Sequence, residues 1–194
     1  RTGLTGDGSL PIRMRVLLVK TSSLGDVLHA LPAVTDAAHA IPGIQFDWVV
    51  EAPFAEVPAW HPAVDRVIPV SIRRWRKSPL KALFSGEWSS FKTVLKEREY
   101  DLVLDAQGLI KSGLITRMVR GAKFGLDGES AREPLASHFY DHPVFVEKGE
   151  HAIVRLRKLF AQTLGYALPE TEADSGIRTV EKQSEIPTIL FVHG

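Results

Sequence analysis

The chain has 194 residues, 44% of them hydrophobic, with 24 lysines and arginines against 23 aspartates and glutamates and no cysteine. That apolar share suffices for one ordinary core, and a formal charge of +1 argues against a general nucleic-acid binder. Without cysteine there is no disulfide, thiolate nucleophile or Cys-ligated metal, and no run approaches the roughly 18 to 20 apolar residues of a membrane span.

Residues 1–13 (RTGLTGDGSLPIR) lack the apolar centre of a secretory signal and precede Met14, so they read as a leader or cloning remnant outside the fold. From Val16 to Val34 (VLLVKTSSLGDVLHALPAV) an apolar run breaks at a small-residue turn and restarts as a helix. Strand, turn and helix in that order open many nucleotide-handling α/β domains, whose ligands sit beyond the carboxyl ends of parallel strands. Only Gly25 is present in this turn, so the G-x-G-x-x-G fingerprint of a dinucleotide dehydrogenase is missing. Pro32 falls inside the helical pattern and predicts a kink there.

Further on, Ile44 to Glu51 and Arg66 to Val70 read as strands, and Glu87 to Glu99 as a helix with apolar Trp88, Phe91, Val94 and Leu95 at helical spacing. Asp101 to Asp105 is a strand ending at Gly108, followed by a helical LIKSGLITRMVRG, a short extended piece from Lys123 to Leu126 and a strong helix from Ala152 to Leu164. The alternation predicts an α/β fold: a Rossmann-like parallel sheet with helices on both faces, over residues 14–165. Residues 166–186 lose the apolar rhythm and read as a linker. Residues 187–194 (PTILFVHG) read as the first strand of a second α/β unit.

Four groups of residues are candidates for chemistry. Asp26 stands at a helix mouth beyond a strand, where it can cap the helix with Ser22 or Ser23, take a proton from an attacking hydroxyl, or do both. IRRWRK, Ile72 to Lys77, lies in a stretch from Ser71 to Glu99 with eight basic residues (Lys81 among them) against three acidic ones. Arg73, Arg74, Arg76 and Lys77 around Trp75 suggest a loop that binds a polyanion with some flat or apolar surface; a solvated basic loop is the alternative. In DAQGLIKSG, Gln107, Gly108, Lys111 and Ser112 fall on the same ligand edge, while Asp105 reads better as a helix cap or internal salt-bridge partner than as a catalyst. Arg132 and Glu133 precede Pro134 at a predicted helix start. The seven histidines lack metal-ligand spacing and read as structural.

Taken together, VLLVKTSSLGDVLHALPAV, IRRWRK, DAQGLIKS and AREPLASHFY resemble the amino-terminal half of the lipopolysaccharide heptosyltransferases of Gram-negative bacteria, glycosyltransferase family 9. The basic IRRWRK stretch favours the branch that acts on Kdo. The resemblance implies the N-terminal domain of a two-domain GT-B enzyme. Such an enzyme moves L-glycero-D-manno-heptose from ADP-heptose to the acid sugar Kdo of Kdo2-lipid A, with inversion and without a metal or other cofactor. It implies Asp26 as general base, and Ser23, Gly25, Arg73, Arg74, Arg76, Lys77, Gln107, Lys111 and Arg132 as acceptor-binding residues. It also implies a cytoplasmic protein, peripheral on the inner membrane, whose donor is held mainly by a carboxy-terminal domain. Two rival readings stay open: a non-catalytic polyanion-binding module, and a nucleotide-binding α/β enzyme of another class that binds ADP through these residues alone.

Overall fold

A computed structural model describes residues 14–77 and 85–177. The proposed leader, Lys81, the end of the proposed linker and the proposed strand at 187–194 lie outside these residues. Six strands form one sheet: β1 (Arg15–Val19), β2 (Gln45–Glu51), β3 (Val64–Val70), β4 (Leu102–Asp105), β5 (Ala122–Leu126) and β6 (His142–Val144). Their order is β3-β2-β1-β4-β5-β6 and every pairing is parallel. This is the doubly wound order, in which β1 and β4 lie side by side but run on to opposite halves of the sheet. The carboxyl ends of β1 and β4 therefore flank a crevice.

Strand alternation sends the apolar residues to two cores. Val16, Leu18, Phe46, Trp48 and Leu104 face α2 (Leu31–Ala40) and α7 (Ala152–Leu164), through Leu31, Val34, Leu156, Leu159 and Phe160. Leu17, Val19, Val49, Ile68 and Val103 face the other way, toward Phe91 and Leu95 of α5 (Glu87–Lys96) and Ile115 of α6 (Ile110–Arg117). Helices on both faces are thus observed. Between the described strands also lie the short helices α1 (Leu24–Leu28), α3 (Glu56–Ala59) and α4 (Ile72–Lys77). No helix of the described residues is long and apolar enough to cross a membrane.

Three local expectations are corrected. Pro32 kinks nothing: α1 ends at Leu28, and Pro32 sits in the first turn of the separate helix α2, where a missing N–H costs no intrahelical bond. IRRWRK is a short helix, α4, rather than a loop. Asp105 is no salt-bridge partner among the described residues; it is wholly buried, accepting hydrogen bonds from the Gln107 and Gly108 amides and from the Tyr140 hydroxyl at 2.8, 3.2 and 2.8 Å. The helix start expected at Pro134 is observed, as the 3-10 helix Pro134–Phe139 with Pro134 in its first turn.

Candidate active site at the sheet switch point

β1 ends at Val19, and the turn Lys20–Ser23 carries the chain to α1. Ser23 is the N-cap and Asp26 the third helical residue, the spacing of a capping box. One carboxylate oxygen of Asp26, Oδ2, accepts the Ser23 amide at 2.8 Å and the Ser23 hydroxyl at 3.2 Å. Capping and a functional role for this half-buried carboxylate are therefore compatible, because Oδ1 takes part in neither bond. Gly25, between them, is exposed, and a Cβ there would meet nothing within 4 Å.

Gln107, just past β4, reaches across the crevice. Its side-chain oxygen accepts the amides of Thr21 and Ser22 at 2.9 and 3.2 Å, so the turn after β4 fixes the turn after β1. The Asp105 carboxylate in turn holds the Gln107 amide. Burial raises the pKa of Asp105, against the hydrogen bonds from Ser112, Gln107, Tyr140 and Gly108 that lower it, and the same burial pushes the Tyr140 hydroxyl up. Tyr140 fits over Gly125 because a Cβ there would lie 2.5 Å from its ring.

Above these turns opens a cavity of about 460 Å³, lined by Lys20, Asp26, Gln107, Ser130, Arg132, Lys148 and Arg155 with apolar Leu126, Leu156 and Leu159. Four cations and one carboxylate make it an anion-receptive site. Lys20 is 7% exposed; burial pulls its pKa down, Asp26 and Asp105 pull it back up, and Arg132 and Arg155 lower it further. Arg132 is brought in by the segment after β5. That segment crosses over Gly108, whose φ of +66° suits glycine and brings its surface close to the Arg132 amide.

Of the residues singled out in the sequence, Asp26, Gln107 and Arg132 meet in this cavity, and Ser23 braces Asp26. Lys111 is in the first turn of α6 and is not among the lining residues. Arg73, Arg74, Arg76 and Lys77 are exposed on α4, at the carboxyl end of β3. Two strand spacings, about 10 Å, separate β3 from β1, so α4 shares the edge without lining the cavity. Arg74 pairs with Glu87 at 2.6 Å. Trp75 is half-buried: its ring meets Trp88 and Phe91 at 5.3 and 5.6 Å between centroids, and its indole N–H donates to Glu87.

Sequence reasoning missed Lys20, Ser130, Lys148 and Arg155 as lining residues. Lys20 had a signal, since a lysine ending the apolar run VLLV must sit at the carboxyl edge. The other three depend on the placement of β5 and β6.

The model of glycosyltransferase family 9 (heptosyltransferase) matches residues 88–192. The chain belongs to that family. It is 60% identical over 185 residues to lipopolysaccharide heptosyltransferase 1 of Pseudomonas aeruginosa, covering 93% of this chain and 52% of that protein. The structure is similar to that of the Escherichia coli heptosyltransferase WaaC with ADP, at TM-score 0.82 and 56% identity over 84% of this chain and 51% of WaaC. It is equally close to WaaC with ADP-2-deoxy-2-fluoro heptose, at TM-score 0.81 and 56% identity over 84% of this chain and 52% of that one. The chain spans about half the length of the curated relatives it matches. The expected fold and family agree with these findings.

Proposed function

We propose that this domain is the acceptor side of an inverting heptosyltransferase that moves L-glycero-D-manno-heptose from ADP-heptose to Kdo of Kdo2-lipid A, in the building of the lipopolysaccharide inner core. The observation that carries the reading is the Asp26 carboxylate lining a cavity whose other charged residues are the cations Lys20, Arg132, Lys148 and Arg155. A relative named lipopolysaccharide heptosyltransferase 1 and the WaaC structures with ADP and an ADP-heptose analogue support the donor and the reaction class.

In this reading the acid sugar's carboxylate is drawn to the cations while its hydroxyl approaches Oδ1 of Asp26. The hydroxyl oxygen forms the new bond to the anomeric carbon, the bond from that carbon to the phosphate oxygen breaks, ADP leaves with the electron pair, and Asp26 takes the proton. Ser23 holds the other carboxylate oxygen and so fixes the direction of the base. Holding acceptor and donor in line converts an encounter of two molecules into a step within one complex. Arg73, Arg76 and Lys77, exposed further along the edge, would take the phosphates of the lipid acceptor, and Gln107 and Lys111 its remaining polar groups. The donor falls mainly to a carboxy-terminal domain of the GT-B type, and the lipid acceptor places the enzyme on the cytoplasmic face of the inner membrane.

Asp26→Asn, in a protein of the relatives' full length, tests the base. Transfer should fall about 10²- to 10⁴-fold, the span of general-base catalysis, with binding of a Kdo glycoside kept. Turnover within a few-fold of the unaltered enzyme would refute the assignment.

A further inference from the structure

Arg155 lies one turn into α7, and its guanidinium bonds to two main-chain carbonyls. Nε donates to the Glu147 carbonyl at 3.0 Å and Nη2 to the Ser130 carbonyl at 2.8 Å. One planar group thereby joins the segment after β5 to the segment after β6. Ser130 is 2% exposed, and its hydroxyl accepts the Val146 amide at 2.8 Å, so the two segments are stitched at the same place by a second bond. From the other side, the Gly108 carbonyl accepts the Glu133 amide at 3.1 Å, and the Glu133 carboxylate accepts the Ile110 amide at 2.7 Å. Arg132, exposed and with no such side-chain bond among the described residues, sits between these two clamps.

We propose that Arg155 is a positioning residue for acceptor binding: by bridging the Ser130 and Glu147 carbonyls it fixes the loop that presents Arg132 to the cavity opposite Asp26. The proposal rests on the acceptor reading above and adds α7 to the site. The bridge needs a fork of donors in fixed geometry, which arginine has and lysine lacks. It also reconciles four cations with one small cavity. Like charges at this density repel, and two hydrogen bonds to fixed carbonyls hold the Arg155 guanidinium in place until an anion balances it.

The test uses the full chain with Arg155→Lys and Arg155→Ala, read by hydrogen exchange of segment 127–133 and by titration with a methyl glycoside of Kdo. Arg155→Lys keeps the charge but not the double bridge. It should speed exchange of the segment several-fold and weaken binding about tenfold, the equivalent of one charge-assisted hydrogen bond. Arg155→Ala should do more of both; if it does not fold, the lysine variant decides alone. Unaltered exchange and affinity in Arg155→Lys would overturn the proposal, leaving charge as the only role of the residue. Faster exchange with unaltered affinity would overturn it too, because the brace would then not reach the site. If the unaltered chain binds no Kdo glycoside yet the variants exchange faster, the acceptor reading fails while the brace stands.

Discussion

At the residue scale the site is expensive to fold. Lys20 is a nearly buried amine whose charge burial disfavours more than Asp26 and Asp105 favour it, as its lowered pKa records. A lysine whose folded pKa lies below its unfolded value subtracts stability at neutral pH. The loss is relieved only as pH rises through the folded pKa toward the ordinary 10.5. Lys20→Met, similar in length and apolar, should therefore raise stability by about 0.5–2 kcal/mol in denaturant unfolding near pH 7, and the gain should shrink at alkaline pH. The same variant should weaken Kdo glycoside binding, since it removes the most buried of the cations lining the cavity. A less stable variant would show that Lys20 serves the fold, and a more stable one with unimpaired binding would show that it does not serve the ligand. Asp26 shows the opposite economy: its cap to Ser23 and its proposed proton transfer use different oxygens, so one side chain serves both.

At the scale of elements, what the sequence made legible follows from burial. β1, β2 and β4 are buried nearly throughout, and their apolar runs were unmistakable; α7 was read to the residue, because an amphipathic stripe ended by Gly165 in the left-handed conformation leaves little choice. β6 was missed: three residues with Pro143 in the middle carry no period, and the strand exists because β5 pairs with it. Missing β6 hid the carboxyl-edge position of Lys148 and Arg155, which is why Arg132 was found without its companions. Pro32 misled because a helix interior and the first turn of a new helix look alike in sequence. Contact can also reverse a propensity. Gly113 lies within α6, where alanine is favoured by about 1 kcal/mol in an exposed helix, yet a Cβ there would stand 2.6 Å from the Phe139 ring. Overpacking costs about 1–3 kcal/mol, so Gly113→Ala should destabilise the domain on balance, visible as a lower urea midpoint with an unaltered slope. A higher midpoint would mean that the 3-10 segment carrying Phe139 gives way freely.

For the whole molecule, the parallel sheet divides labour between its two edges. All strands end toward the cavity, and near their beginnings Asp47, wholly buried on β2, accepts the Tyr100 hydroxyl at 2.8 Å and Arg98 at 3.1 Å, with Arg15 of β1 at 3.6 Å. Asp65 of β3 accepts the same two arginines, at 2.7 and 3.0 Å. The network thus ties β1, β2 and β3 to the segment entering β4, on the side away from the ligand. Hydrogen bonds from Arg98 and then Arg15 hold the Asp65 carboxyl below its ordinary value near 3.8. A depressed folded pKa contributes stability that is fully present above the unfolded value and is lost as pH falls through the folded one, so Asp65 contributes to the acid limb below about pH 4. Asp65 is a third exposed, and solvent and salt screen it, so the effect belongs to a slope and not to a large step. Asp65→Asn should lower the melting temperature modestly at pH 7 and flatten its fall between pH 4 and pH 2, while Kdo glycoside binding at pH 7 stays unaltered. An acid limb as steep as in the unaltered chain would place the acid sensitivity elsewhere. Impaired binding would mean that strain at the strand beginnings travels along the sheet to the crevice, and that the two edges are not independent.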